Sequence, residues 1–249
     1  MKHAALFATA ASLLPALTAS LAAAAPAIPP YISAAVADSA RPAEDQQRDA
    51  ERKPAETLAF AGVKPGDTAI ELAPGEGYYT WLLSAVVGAK GKVYALGSQP
   101  KPDAPPPPVV AIAADPHYGN VTVSLQHIPE LKLPQGVDLV WTSQNYHDLH
   151  NIKEVDVAKI NRAFLEALKG GGTYFVLDHA AEAGSGSRDT GTLHRIDEET
   201  VKQEVTAAGF KLVAASDILR NKSDPHTAKV FDPEIRGHTD QFALKFKKP

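Results

Sequence analysis

Residues 68–80 constrain the fold more than any other part of the chain. Residues 68–72 form an apolar run that carries Glu71, a Gly-x-Gly turn follows at Gly75 and Gly77, and an amphipathic stretch comes next. This order predicts a strand, a ligand-binding loop and a helix. Glycine lets the backbone take positive φ and approach a ligand, and a helix start directs unpaired amides at the loop. We therefore expect the loop to hold a ligand with an anionic end.

Strand and helix patterns alternate along the chain, which predicts an α/β fold. The predicted strands cover residues 68–72, 92–96, 121–126, 137–143, 173–177, 210–215 and 241–246, and the predicted helices cover residues 43–52, 54–62, 78–87, 157–168 and 197–208. This alternation favours one domain with a doubly wound, mostly parallel sheet and a ligand site at the carboxyl ends of the strands. The turn lacks the third glycine of the dinucleotide fingerprint, so a different ligand is expected.

Residues 71–77, an acidic residue before a Gly-x-Gly turn, resemble the first motif of class I S-adenosylmethionine-dependent methyltransferases. A more specific resemblance is to an uncharacterised group of exported predicted methyltransferases, which carry segments similar to residues 144–150, 192–195 and 239–242. The likeness covers most of the chain after the N-terminal segment. It implies a Rossmann-like fold with a terminal antiparallel strand, S-adenosylmethionine as cofactor and methyl transfer as reaction.

The resemblance also implies which residues contact the cofactor. The predicted set is Glu71, Ala73, Pro74, Gly75, Gly77, Gln126 and Asn145. Glu71 would help to hold the ammonium group, and the glycines would admit the amino-acid end. The chain departs from the family at residues 95–98, which offer no acidic side chain to the ribose, while the Gln126 amide could serve the adenine. A plain tight turn between strand and helix is the alternative interpretation of the loop.

Four residues are predicted to act at the reacting end of the site: His147, Asp178, His179 and His194. A histidine with a pKa near about 6.5 suits a general base, which is the role expected of His147. Asp178 and His179 end the next strand and would face the same cleft. Structural hydrogen bonding is the alternative for each. A metal ion held by His147, His150, Asp178 and His179 is conceivable, but no familiar metal spacing is present, so no metal ligand is assigned.

The composition favours a small-molecule substrate over nucleic acid. The formal net charge is −4 and no stripe of lysine or arginine occurs, so the electrostatic footprint of nucleic-acid binding is missing. The chain has no cysteine, which excludes disulfides and thiolate metal sites. A polar segment that carries Arg220, Asp224, His226 and Arg236 before the last strand is interpreted as a substrate lid. The sequence does not predict the oligomeric state.

The N-terminal residues predict export. Residues 1–25 combine a positive start, an apolar stretch and small residues at a cleavage position, which is the pattern of a secretory signal peptide. Residues 26–41 are rich in alanine and proline and predict a linker, and residues 42–249 form the methyltransferase-like domain. We expect a periplasmic or secreted protein without a stable membrane span after cleavage. An uncleaved anchor is the alternative.

The functional hypothesis is S-adenosylmethionine-dependent methyl transfer to a small-molecule oxygen or nitrogen. Two alternatives stay open. One is a non-catalytic protein that binds a nucleotide-like ligand on the same fold, and the other is a histidine-based metalloenzyme. Export raises an objection to the first hypothesis, because S-adenosylmethionine is made in the cytoplasm and must reach the enzyme.

Overall fold

The computed structural model describes residues 27–249, which form a seven-stranded sheet. The strands are β1 (Thr68–Leu72), β2 (Lys92–Ser98), β3 (Val121–Gln126), β4 (Val137–Ser143), β5 (Leu168–His179), β6 (Lys211–Ser216) and β7 (Gln241–Lys247). Their order is β3-β2-β1-β4-β5-β7-β6, and of these strands only β7 is antiparallel to its neighbours. The structure confirms the predicted Rossmann-like, mostly parallel sheet with a terminal antiparallel strand. The strand order reverses beside β1, where such sheets bind ligands.

Eight α-helices in the described residues connect or flank the strands. They are α1 (Pro30–Val36), α2 (Ala43–Gln47), α3 (Asp49–Arg52), α4 (Pro54–Ala61), α5 (Tyr78–Val87), α6 (Val109–Ala114), α7 (Val157–Ala167) and α8 (Glu198–Ala207). The predicted polar helix is thus split in two at Arg48, and α6 was missed. A short apolar helix directly after the prolines of residues 104–108 gives too little periodicity to be recognised.

The helix α1 lies inside the segment for which the composition predicts a linker. Its residue Ile32 is fully buried, and α1 packs against α4 and α5. The prediction of a linker is therefore wrong for Pro30–Val36. Proline at the first position of a helix is favourable, and the buried side chains of Ile32 and Ala35 hold the helix on the domain, so composition alone was misleading.

Both faces of the sheet are covered by apolar packing. On one face Trp141 stacks against Phe175 and Tyr79, with ring centroids 4.2 and 4.7 Å apart. On the other face Tyr174 contacts Phe164 at a centroid distance of 5.4 Å, within a second apolar cluster. Because successive side chains of a strand point to opposite faces of the sheet, consecutive residues within β4, and within β5, belong to opposite clusters. This packing holds the strand ends, and the site, in fixed positions.

The strand β5 is longer than predicted at both ends. The predicted strand begins only at residue 173, whereas α7 ends at Ala167 and the glycines at 170–172 belong to β5. Backbone hydrogen bonds between this segment and Lys248 supply the reason, because they add the glycines to the sheet. At its other end β5 reaches His179, so Asp178 and His179 are held by strand pairing with β7.

The position of Gly77 predicts that a side chain there would destabilise the folded protein. Gly77 has φ 91° at the start of α5, and a Cβ there would lie 2.1 Å from Cδ1 of Ile112 on α6. We expect Gly77→Ala to lower the free energy of unfolding by about 2 kcal/mol or more, because the cost of alanine at positive φ adds to the cost of overpacking against Ile112. Urea unfolding measures this change.

Two further variants separate the causes. A Cβ at Gly75, which also has positive φ, would meet no atom within 4 Å, so Gly75→Ala reports the backbone cost alone. Ile112→Val removes the clashing Cδ1 atom and should recover part of the loss in a double variant. Equal costs for Gly75→Ala and Gly77→Ala would contradict the packing explanation.

The polar segment before β7 is anchored to the domain rather than loosely attached. Arg195 and Asp224 are completely buried side chains that form an ion pair at 2.8 Å, and Arg195 also donates to the carbonyls of Ala180 and Ala228. Breaking such a buried pair costs about 3–5 kcal/mol. The predicted lid is thus fixed at Asp224, while Phe231 and Arg236 further along reach the site described below.

Residues 1–26, which include the predicted signal peptide, lie outside the described residues. Within residues 27–249, no helix has the length and apolar character needed to cross a membrane.

Candidate functional site

A cavity of about 570 Å³ opens at the carboxyl ends of β1, β2 and β4. Its walls are the loop from Glu71 to Glu76, the end of β2 at Gly97 and Ser98, residues 143–145 after β4, and two arginines from the N-terminal helices. A wider cleft of about 1060 Å³ lies elsewhere, around residues 88–92 at the amino end of β2, and contains none of the predicted site residues. The smaller cavity therefore has the position and the side chains of a ligand site.

The Gly-x-Gly loop is held open by unusual backbone conformations. Ala73 has φ 48° and Gly75 has φ 58°, and a Cβ at Gly75 would point into open space. The amide of Asn145 donates to the carbonyls of Leu72 and Ala73, at 2.8 and 3.2 Å. A non-glycine residue such as Ala73 at positive φ is strained, and the surrounding structure must compensate the strain. The two hydrogen bonds from Asn145 provide this compensation. The loop can thus take a ligand closely against its backbone.

Glu71 lies at the base of the cavity and is only 3% exposed. The hydroxyl of Thr80 donates to its carboxylate at 2.6 Å. Burial raises the pKa of Glu71 to about 7, although this hydrogen bond opposes the shift. The described residues place no lysine or arginine in an ion pair with it within 4.0 Å. Glu71 is therefore a buried acid that a cationic ligand group would ionise.

Two residues of the predicted cofactor set do not line the cavity. Gly77 is buried under Ile112, as described above. Gln126 exchanges two hydrogen bonds with the backbone of Lys132 and donates to Ser124, so its amide already has partners. Gln126 lines a neighbouring, mainly apolar cavity of about 290 Å³. Ser98 lines both this cavity and the main one. By contrast, Glu71, Ala73, Pro74, Gly75 and Asn145 all line the main cavity.

His147 and Asp178 form a buried pair between the ends of β4 and β5. Nδ1 of His147 donates to Asp178 at 2.8 Å, because an ionised carboxylate can only accept, and the backbone amide of His147 donates to the other oxygen at 2.8 Å. Burial lowers the pKa of His147, but the charge and hydrogen bond of Asp178 outweigh it and raise the pKa overall. The same contacts outweigh burial at Asp178 and lower its pKa.

The second nitrogen of His147 faces away from Asp178 toward two polar groups. Its Nε2 is 3.3 Å from Nδ1 of His194 and 3.3 Å from a carboxylate oxygen of Asp148. His147 is only 2% exposed and does not line a cavity, whereas Asp148 lines the main cavity and His194 is partly exposed. His194 has a left-handed backbone conformation, φ 56°, and its ring lies 5.4 Å from that of His147, centroid to centroid. Asp178 thus orients the ring of His147, and Nε2 of His147 faces the partly exposed His194.

His179 points to a different part of the site. It lines a small cavity of about 150 Å³ next to the main one, and Thr239 lies 2.8 Å from its Nδ1. Burial lowers the pKa of His179 to about 4, against the charge of Asp178. The imidazole is therefore neutral at physiological pH and can bind a ligand as a neutral hydrogen-bonding group.

The segments that carried the resemblance come together in space. Gln144 donates to Gln241 at 2.9 Å, and His147 meets His194. Sequence reasoning missed Arg52, whose guanidinium donates to Gln144 at 2.9 Å, and Asp148. Gln144 and Asp148 lie in the segment 144–150 that carries the resemblance, so the sequence did contain a signal for them. Nothing in the sequence indicated Arg52, because it lies 92 residues before Gln144 along the chain.

The four residues considered for a metal ion, to which the sequence assigned no metal role, do not come together as one group. His150 pairs with Glu204 at 3.2 Å, and His179 has its hydrogen bond to Thr239, so neither joins His147. A different group, His147, Asp148 and His194, has ligand atoms that lie within 4.8 Å of one another. Imidazole and carboxylate are suitable ligands for several transition metals.

Comparison with known proteins supports the fold. No protein-family model and no curated protein matches the chain. The structure is similar to a SAM-dependent methyltransferase from Aquifex aeolicus, with TM-score 0.61, 19% identity, and coverage of 83% of this chain and 95% of that one. Aeropyrum pernix fibrillarin with natively bound S-adenosyl-L-methionine has TM-score 0.52 and 17% identity over 80% and 76% of the two chains.

A third similar structure is a possible exported protein from Bordetella parapertussis, with TM-score 0.52, 14% identity, and coverage of 82% of this chain and 67% of that one. At such identities the likeness establishes the fold and leaves the activity to the site itself. The chain thus has the fold of class I methyltransferases.

Proposed function

We propose that the protein is a methyltransferase that uses S-adenosylmethionine and methylates a small-molecule oxygen or nitrogen. The observation that carries the proposal is the cavity at the end of β1. There a buried carboxyl group, Glu71, and an open positive-φ loop, Gly75, lie side by side. These groups fit the ammonium and carboxylate of an amino acid.

The residues of the cavity suit each part of the cofactor. Glu71 would bind the ammonium, and the backbone around Gly75 leaves space for the carboxylate end. The ribose would lie near Gly97 and Ser98, where only neutral side chains are offered, and the adenine would enter the apolar cavity beyond Ser98. When bound, the cofactor supplies an electrophilic methyl group.

Proton removal from the acceptor is assigned to the chain of side chains that starts at Asp178. Asp178 fixes the ring of His147, and His147 faces His194, which is partly exposed. The sequence pointed to His147 as the base, but His147 is only 2% exposed, so His194 would accept the proton and His147 would stabilise it, a role worth about 10²- to 10⁴-fold in rate. His179 would bind the acceptor in the small cavity.

We also propose that residues 1–25 direct export and that the protein acts in the periplasm or outside the cell. The sequence pattern of a signal peptide supports this, and a similar structure is described as a possible exported protein.

Two other functions have one supporting observation each. The end of β2 offers Ser98 and no acid to a ribose, which favours a protein that binds a nucleotide-like ligand without catalysis. The cluster of His147, Asp148 and His194 favours a metalloenzyme. Metal analysis before and after chelation, on wild type and His194→Ala, tests the second.

Calorimetry on the mature protein tests the main proposal. S-adenosylmethionine and S-adenosylhomocysteine should each bind with one site per chain, and a screen of phenols, amines and acids should find an acceptor that releases S-adenosylhomocysteine. Absence of binding at millimolar concentration would exclude methyl transfer. Binding without turnover of any acceptor would favour the non-catalytic alternative.

A further inference from the structure

The small cavity next to the main one has a strongly basic wall. Its volume is about 150 Å³, and it shares Arg48, Arg52, Gln144 and Arg236 with the main cavity. A water occupies about 30 Å³ of liquid, so the space suits one end of a small molecule. Because the two cavities share these residues, a group bound here would be adjacent to the end of the main cavity that lies between α3 and Gln144.

Arg52 has no acidic partner among the described residues. Its guanidinium donates to the neutral oxygen of Gln144 and lies 4.5 Å from the ring centroid of Tyr78. Burial lowers its pKa, and the nearby charge of Arg48 adds to this effect. By contrast, Arg41 on the same side of the domain pairs with Asp49 at 2.7 Å. A partly buried guanidinium without a carboxylate is costly, which is typical of a ligand site.

Arg236 adds a second guanidinium without an ion pair in residues 27–249. It is exposed, lines both cavities and comes from the polar segment before β7. Glu51 is the one carboxylate that lines the small cavity in the described chain, and Arg48 on the same wall pairs with Asp45 at 4.0 Å, which leaves Arg52 and Arg236 without an ion pair. A sulfonium cofactor in the main cavity would bring a further positive charge. Arg52 and Arg236 therefore offer positive charge that an anionic ligand group would balance.

We infer that the small cavity binds the methyl acceptor through an oxyanion, a carboxylate or phosphate, held by Arg52 and Arg236; this inference rests on the proposed methyl transfer. A guanidinium presents parallel N–H donors that match either group in a bidentate manner. His179 supplies a neutral hydrogen-bonding group on the same wall, and the exposed ring of Phe231 gives the acceptor an apolar surface. The acceptor class is thus a small organic anion with a nucleophilic oxygen or nitrogen.

Calorimetry with matched probes tests this inference on the mature protein saturated with S-adenosylhomocysteine. The probes are 4-hydroxybenzoate, phenyl phosphate and the neutral 4-hydroxybenzyl alcohol. The variants are Arg52→Gln and Arg236→Gln, with Arg162→Gln, an exposed arginine of α7, as the control. We expect one of the two anions to bind wild type and R162Q at least tenfold more tightly than the alcohol. R52Q and R236Q should lose this preference, and the loss should exceed any change in their affinity for S-adenosylhomocysteine, because both arginines also line the main cavity. The better anion identifies the oxyanion.

Several results would overturn the inference. One is equal binding of the alcohol and both anions to wild type. Another is loss of S-adenosylhomocysteine binding in R52Q and R236Q with the anion preference unchanged, since the arginines would then serve the cofactor carboxylate. If S-adenosylhomocysteine fails to bind wild type, methyl transfer itself is wrong. In that case, tighter binding of an anion than of the alcohol that is lost in R236Q would still support the oxyanion site. If wild type showed no such preference for an anion, the oxyanion site would be excluded. R236Q serves here because Arg236 is exposed and its loss should not disturb folding.

Discussion

Replacing Asp178 with asparagine is expected to lower the free energy of unfolding by about 3 kcal/mol and the turnover of an acceptor by about 100-fold. Asp178 is completely buried and accepts three N–H groups, from the ring and backbone of His147 and from the backbone of His179. Asparagine offers one acceptor oxygen and turns an N–H₂ group toward donors, so at least one buried donor loses its partner. The His147 ring would also lose its fixed orientation.

Urea unfolding and the release of S-adenosylhomocysteine with an acceptor from the screen measure the two effects. The fall should be in kcat with little change in KM, because Asp178 positions His147 and does not contact the acceptor. His150→Gln is the matched control, since His150 lies on the same short helical turn, His147–Asn151, but pairs with Glu204. If D178N were as stable and as active as H150Q, the assigned role of the Asp178–His147 pair would be wrong.

Replacing Glu71 with glutamine is expected to stabilise the ligand-free protein at pH 8 by about 3 kcal/mol. Burial raises the pKa of Glu71 from 4.5 to about 7 in the folded state. The folded protein therefore binds a proton that the unfolded chain has released between pH 4.5 and about 7, so stability falls as the pH rises through this window. Each pKa unit corresponds to about 1.4 kcal/mol. Glutamine has no such loss and can still accept from Thr80.

The difference in unfolding free energy between E71Q and wild type should be near zero at pH 4 and reach its maximum above pH 7. Exposed Glu76 in the same loop provides the control, because Glu76→Gln at such a surface position should change the unfolding free energy by no more than about 0.5 kcal/mol. Affinity should change in the opposite sense, with E71Q binding S-adenosylhomocysteine about tenfold more weakly at pH 8, since the ammonium loses a charged acceptor. A stability difference that does not vary with pH would contradict the assignment of a buried, proton-binding Glu71.

The sheet was predictable because its signals are local. The apolar run before Glu71 and the glycines after it lie within ten residues and define strand, loop and helix. Alternation of strands and helices then limits the topology to few choices. The linker over α1 was mispredicted because the packing of Ile32 and Ala35 against the domain leaves no signal in an alanine-rich composition.

The site was only partly predictable because its contacts are long-range. The residues near the carboxyl ends of β4 and β5 could be placed at one edge, since parallel strands end together, and the structure indeed joins His147 to Asp178. The sequence could not show that Gln126 is tied to Lys132, or that Arg52 reaches Gln144 across the fold. These contacts depend on how the N-terminal helices and the loops pack, which no local pattern encodes.

A crystal structure of the mature protein soaked with S-adenosylhomocysteine tests the central claim most directly. The proposed function predicts the amino-acid end of the ligand between Glu71 and Gly75, adenosine beyond Gly97, and the sulfur directed toward residues 145–147. The opposite result is a loop closed by the protein's own side chains, with no ligand density in the cavity of about 570 Å³. That result would leave the fold unchanged and remove the basis for methyl transfer.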